Sequence, residues 1–189
     1  METKVINIYA GPGVGKSTTA AMLYAHYKNK CLEAEMCREY VKSWVWQARN
    51  ITAMDQYYIL GKEIYHMESL FGKVDILISD SPVMQGNYYL HKIRPDLSLD
   101  STGPMDPLIF DFITQAEKKG VKFYDFIVER NQPYQTTGRY QTEEEAIQDH
   151  KDIIRFLHQP IRNKFLNLHI ITGDRDERLN KIVEIVDKS

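Results

Sequence analysis

Cysteine is scarce in this sequence. Its two copies, Cys31 and Cys37, are too few for a disulfide framework, and they share no metal-binding spacing with another Cys or His. Reduced thiols in a cytosolic protein are the plain reading. No apolar run approaches the ~20 residues needed to cross a bilayer. Nothing like a signal peptide comes before the first apolar strand, so a cytoplasmic setting is expected, without membrane association. A surplus of charge is missing as well: 24 basic residues stand against 26 acidic ones, a formal net charge of −2. That balance supplies no global attraction to nucleic acid, although a local basic patch is compatible with it. Repeats, low-complexity tracts and linkers are also lacking. The 189 residues therefore read as one domain, long enough to bury a core without staples.

Apolar strands alternate with helical segments along the chain. Strands are expected at Val5–Tyr9, Cys31–Met36, Asp75–Ser79, Lys122–Val128 and Leu168–Ile171. Helices are expected at Ser17–Lys28, Arg38–Arg49, Met54–Phe71, Pro107–Lys119, from Thr142 to about Leu157, and Asp174–Asp187. Thr142-Glu143-Glu144-Glu145 has the Thr-x-x-Glu form of a capping box. Residues 86–105, with Pro95, Gly103 and Pro104, read as a long irregular stretch, a length that in compact domains often carries function. The alternation predicts an α/β sandwich around a parallel sheet.

One motif carries specific chemistry. Ala10-Gly11-Pro12-Gly13-Val14-Gly15-Lys16-Ser17 follows a strand and opens a helix, in the pattern of a phosphate-binding Walker A loop with Ala in the first glycine position. Glycines let backbone N–H groups turn toward an anion without a Cβ in the way. The helix N-terminus adds partial positive charge. Lys16 is placed to reach the β- and γ-phosphates of ATP, and the Ser17 hydroxyl to ligate Mg²⁺. The alternative, a glycine-rich turn that binds nothing, fits poorly with so complete a pattern in strand–loop–helix context.

What is missing again narrows the class. No Asn-Lys-x-Asp segment exists, which argues against a GTPase. The third strand ends Ser79-Asp80-Ser81-Pro82, without the Glu that polarises water in motor ATPases. A small-molecule kinase needs neither feature. It needs an acidic group near the acceptor hydroxyl, arginines around the γ-phosphate and a mobile lid. Asp80, at the carboxyl end of a core strand, is the candidate for the Mg²⁺ shell, against the reading of a turn Asp before Pro82. Glu35 is the candidate base or orienter and Arg38 an anion or substrate clamp, with a solvated Arg38–Glu39 pair as the bland alternative. Arg130 and Arg139 bracket the polar segment 131–138, which suits a lid that closes guanidinium groups over the phosphoryl, or an ordinary surface loop. Among the aromatics, Tyr40, Trp44, Trp46, Tyr57, Tyr58, Tyr88 and Tyr89 fit core or interface positions, which admits a homodimer, and one or two could stack on a base. Gln56 or Gln85 is suited to reading a base edge.

Glu35-Met36-Cys37-Arg38-Glu39-Tyr40-Val41 resembles the Glu-x-x-Arg-Glu-Tyr-Val segment of NadR-type nicotinamide-riboside kinase domains, part of a group of small P-loop kinases frequent in bacteriophages. Asp55–Tyr65, Ile76–Ser81, Glu129–Tyr134 with Gly138-Arg139, and Thr172–Val186 continue the resemblance in register over nearly the whole chain. It implies a three-layer α/β/α P-loop kinase fold with a central parallel five-stranded sheet and a lid. It implies ATP and Mg²⁺ at Gly11, Pro12, Gly13, Val14, Gly15, Lys16, Ser17 and Thr18, with Glu35, Arg38, Asp80, Arg130 and Arg139 lining the site. The chain departs from the family at Asp80-Ser81-Pro82-Val83, where a second acidic residue is usual, and in a longer insert from Gly86 to Met105. Another acceptor than nicotinamide riboside is therefore expected, such as a deoxynucleoside or its monophosphate. Three alternatives stand beside it: a kinase acting on modified bases of phage DNA, a nicotinamide riboside kinase, and a regulatory ATP-binding protein. If phage-encoded, the chain would work in the host cytoplasm.

Overall fold

The computed structural model describes residues 2–38, 41, 44, 46–131, 134 and 141–188. Strand β1 (Thr3–Tyr9) is the middle of the sheet, and Val5, Ile6 and Ile8 are wholly buried. Helix α1 (Lys16–Asn29) leads to β2 (Ala34–Cys37), and α2 (Ala53–Leu70) to β3 (Ile76–Ser79). Two helices, α3 (Val83–Ile93) and α4 (Asp106–Lys118), come before β4 (Val121–Val128). Helix α5 (Glu143–Leu157), the short α6 (Pro160–Asn163), β5 (Leu168–Ile171) and α7 (Arg175–Asp187) complete the order. Among the described residues the strands form one parallel sheet in the order β2-β3-β1-β4-β5.

Parallel neighbours need helical crossovers, and the crossovers cover both faces, so the inner strands β1, β3 and β4 are buried almost throughout. Val5 and Tyr9 share one core with Leu77, Phe123 and Ile127 beneath α2, α3, α4 and α5. Ile6 and Ile8 share the other with Ile76, Ile78, Phe126 and Val128 against Leu23 and Tyr27 of α1 and Ile182 and Val186 of α7. The capping box read at Thr142 forms: its hydroxyl accepts from Glu145 N–H at 3.2 Å, and its own N–H donates to Glu145 Oε2 at 2.8 Å. Thr52 with Asp55 and Asp174 with Glu177 form two more.

Two expectations are corrected. The second strand begins at Ala34, not Cys31, because Cys31 takes a left-handed backbone (φ 59) that finishes the turn after α1. The stretch 86–105 is not irregular throughout, since Gly86 to Ile93 belong to α3. The remainder is tied down by Arg162, which is fully buried. It donates to Leu99 O at 3.0 Å, Ser101 O at 2.6 Å and both oxygens of buried Asp106 at 3.0 and 2.9 Å. The helix expected over 38–49 falls partly outside the described residues. Within them, Trp44 and Trp46 are helical and Arg38 and Arg49 are not.

Candidate phosphate-binding site

Because β1 is central, its carboxyl end opens between the ends of β3 and β4, in the crevice where open α/β sheets bind ligands. The loop from Ala10 to Gly15 fills that crevice and delivers Lys16 and Ser17 to the first turn of α1. Gly13 (φ 78) and Gly15 (φ 102) both take the left-handed backbone that turns successive amides to one side, as an anion cup requires. Lys16 Nζ reaches back across the loop and donates to Ala10 O at 2.9 Å. Ser17 and Thr18 are exposed at the start of the helix, while Pro12 and Val14 are buried against the body of the protein.

Side chains from distant parts of the sequence hold the loop. Arg178, from α7 and 1 % exposed, donates to Val14 O at 3.0 Å and to Glu129 O at 2.9 Å, and also bonds Asn131 Oδ1. Burial holds its guanidinium below the ordinary arginine value. Arg130 donates to Pro12 O, and to Ala146 O of α5 at 3.3 Å. The Tyr134 ring lies beside Gly13, where an added Cβ would fall 2.7 Å from it, and the Arg130 guanidinium sits 5.8 Å from the centre of that ring. Gln85 and His150 each accept a loop amide, Ala10 N–H at 3.3 Å and Gly11 N–H at 3.1 Å. Burial first, then the charges of Arg130 and Lys16, push the His150 imidazole down to about 4. The ring is neutral at ordinary pH, as an acceptor at Nδ1 must be.

Sequence reasoning names Lys16, Ser17, Thr18, Asp80 and Arg130, and the fold brings these to one end of the sheet. Asp80 follows β3 directly and is 4 % exposed. A serine hydroxyl and a carboxylate are hard oxygen donors, and Mg²⁺ characteristically takes few protein ligands beside phosphate oxygens and water. Arg38 stands just past the end of β2 and is exposed. Glu39, Tyr40 and Arg139 lie outside the described residues, as do most of the positions between Arg130 and Arg139 that were read as a lid.

Glu35 is not assembled with the loop. It is exposed in the middle of edge strand β2, opposite Leu77, which itself lies opposite Val5, five residues before the loop begins. The carboxylates that stand near the end of β2 are instead Glu63 of α2 and Asp80, each 4 % exposed, whose charges both bear on the Cys37 thiol. Glu63, His150 and Arg178 escape sequence reasoning, for each sits in an ordinary helical pattern with no motif around it. Gln85, suited on sequence to a base edge, has its oxygen engaged with the loop.

The loop, the strand order and the helix N-terminus together define an α/β fold of the P-loop kinase type. No protein-family model matches this sequence, and no curated protein matches it either. Solved structures do. The chain is similar to the NadR protein crystallised in complex with NR (TM-score 0.66, 15% identity), over 98% of this chain and 51% of that one. It is similar to deoxyadenosine kinase from M. mycoides with bound dATP (TM-score 0.61, 15% identity, 96% and 98% of the two chains). It is also similar to thymidylate kinase from Ehrlichia chaffeensis (TM-score 0.60, 13% identity, 98% and 100%). At these identities the likeness is one of fold.

Proposed function

We propose that the chain is an ATP- and Mg²⁺-dependent phosphotransferase that moves the γ-phosphate to a hydroxyl or phosphate of a nucleoside or (deoxy)nucleoside monophosphate. The observation that carries this reading is the cup itself. Two left-handed glycines and a helix N-terminus surround Lys16, with Asp80 at the end of the adjacent strand. In this reading Lys16 and Arg130 neutralise charge on the transferring phosphoryl, and loop amides cradle the β-phosphate. Ser17 and Asp80 would hold Mg²⁺, which supplies further charge neutralisation at the phosphate oxygens when bound. The acceptor oxygen forms its bond to Pγ as the bond from Pγ to the β,γ-bridging oxygen breaks. Where the acceptor is a hydroxyl, its proton passes to a carboxylate, for which Glu63 and Asp80, whose charges both bear on Cys37 at the end of β2, are the candidates. The action of both charges on Cys37 also supports an acceptor site on the α2–α3 side of the sheet. Arg38 and Arg139 complete the reading as the clamp and lid arginines.

The test has two stages. Calorimetry should give saturable Mg-ATP binding. A coupled assay over nucleosides, monophosphates and nicotinamide riboside should then give ADP release that depends on one acceptor class. Binding of Mg-ATP with no acceptor raising turnover would reject the acceptor class. Absence of Mg-ATP binding would reject the phosphotransferase.

A further inference from the structure

The first two amides of the phosphate loop do not face an anion, because each already donates to a side chain. Ala10 N–H meets Gln85 Oε1 at 3.3 Å, and Gly11 N–H meets His150 Nδ1 at 3.1 Å. Gln85 is 3 % and His150 9 % exposed, so both bonds are made away from bulk water, where a lost partner is costly. The acceptors come from α3 and α5, and those helices are locked together beside the loop. Asp149, the residue before His150, accepts from Tyr88 Oη at 2.9 Å and from Lys92 Nζ at 2.6 Å, both on α3. Arg130 closes the same corner by donating to Pro12 O in the loop and to Ala146 O, one turn before His150 on α5. The contact between Gly11 and α5 is at backbone distance, with 2.7–2.8 Å from a would-be Cβ to the Cβ, Cα and N of His150.

The ring chemistry is fixed by this geometry. An imidazolium has no lone pair and could not accept from Gly11. The cations on either side, Lys16 and Arg130, disfavour a charge on the ring. With Nδ1 accepting, the single ring proton resides on Nε2.

We propose that His150 is a positioning residue of the phosphate loop: by accepting the Gly11 N–H it pins the loop's first turn to α5 and so presets the later amides for a triphosphate. Nothing in the Walker A pattern supplies this restraint. The loop is rich in glycine, and an unrestrained glycine loop gives up much conformational entropy when it closes on a ligand. Paying that cost at folding rather than at binding is what preorganisation means. The inference rests on the triphosphate reading of the cup.

The test compares the full chain with His150→Asn and His150→Leu. The Asn side-chain oxygen can accept close to the position of Nδ1, whereas Leu fills the space without an acceptor. Titration calorimetry with Mg-ATP should show affinity weakened about tenfold or more in His150→Leu and largely recovered in His150→Asn, the scale of one buried hydrogen bond. Melting temperatures of both variants confirm that folded protein is compared. Long-range ¹H–¹⁵N spectra of the wild type should show a neutral His150 with its proton on Nε2, and the Gly11 amide proton should move upfield in His150→Leu only. If wild type binds Mg-ATP and His150→Leu binds equally well, or if the spectra show the Nδ1–H tautomer, the positioning role is overturned. If wild type itself fails to bind Mg-ATP, the reading of the cup falls, and the positioning role with it.

Discussion

Gly11 and His150 approach so closely that a Cβ on the glycine would stand 2.7 Å from the histidine Cβ and 2.8 Å from its Cα and amide nitrogen. Backbone atoms of a packed helix cannot swing aside as a flexible side chain can. Gly11→Ala must therefore push the loop away from α5 and break the bond from Gly11 N–H to Nδ1. The expected cost is about 1–3 kcal/mol of stability, the usual range for overpacking, together with at least a tenfold loss of Mg-ATP affinity. Gly61, in the middle of α2 with nothing near its would-be Cβ, is the control. Gly61→Ala should stabilise by about 0.5–1 kcal/mol through helix propensity alone and leave ATP affinity unchanged. Urea denaturation and titration calorimetry check both variants.

The neutral state of His150 has a pH signature. Its imidazole is pushed down to about 4 in the folded protein by burial and by Arg130 and Lys16, while in the unfolded chain it titrates near 6.5. A depressed folded value means that the stabilisation is complete above 6.5 and is lost as pH falls from there toward 4. The whole effect is on the order of 3 kcal/mol at most. Denaturation midpoints taken every half unit between pH 7.5 and 4.5 should fall more steeply for wild type than for His150→Asn, which has nothing to protonate. Parallel slopes would mean that the ring is not held neutral.

The fold was largely legible, and particular residues show why. Val5–Tyr9 and Leu168–Ile171 are apolar runs broken by a single polar residue each, Asn7 and His169, and the loop after the first is marked by glycines that no ordinary turn requires. The error at 86–105 arose because α3 carries Gly86, Asn87, His91 and Lys92, a polar composition whose partners are remote: Asn87 donates to Asp106, and His91 Nδ1 meets Ser98 O at 2.8 Å. Half of the site was legible through the Walker A spacing. The other half was not, since His150 and Arg178 act on the loop from 139 and 164 residues away, as the separations of their bonds to Gly11 and Val14 record. For Glu35, sequence shows that a carboxylate lies near a strand end but not how far short of that end its side chain leaves the strand.

Arg162 and Asp106 form a buried pair that secures the segment after α3, with both side chains fully enclosed. Arg162 Cζ also lies 3.6 Å from the centre of the Phe156 ring. Removing one partner leaves an uncompensated buried charge, so Arg162→Met should cost about 3–5 kcal/mol. Asp106→Leu with Arg162→Met should be less destabilising than Arg162→Met alone, because it removes the stranded carboxylate. A double-mutant cycle by chemical denaturation measures the coupling, and strict additivity would contradict the pair.

The two cysteines should differ sharply in reactivity. Cys31 is exposed, while Cys37 is buried and its thiol is pushed up to about 12 by burial and then by Glu63 and Asp80. Only the thiolate attacks an alkylating reagent. Native protein treated with iodoacetamide at pH 8 should therefore take up one label quickly, at Cys31, and the second only on unfolding. Peptide mass spectrometry locates the labels, and early modification of Cys37 would show that the end of β2 is open.

The carboxylates that shift the Cys37 thiol should separate kinetically, because they come from different elements. Asp80 extends from β3, the strand directly beside the one that carries the phosphate loop. Glu63 comes from α2, which packs against β2. If Asp80 serves the metal, Asp80→Asn should raise the Mg²⁺ concentration needed for half-maximal turnover and weaken Mg-ATP more than metal-free ATP. If Glu63 orients the acceptor hydroxyl, Glu63→Gln should lower kcat by about 10²-fold, within the range general-base catalysis supplies, and leave the KM for ATP near its wild-type value. The amide keeps the shape and much of the hydrogen bonding of the acid but cannot take a proton, so a loss confined to kcat is a loss of chemistry rather than of packing. A Glu63→Gln enzyme with unchanged kcat would move the acceptor's proton to another group, and Asp80 would be the next to test.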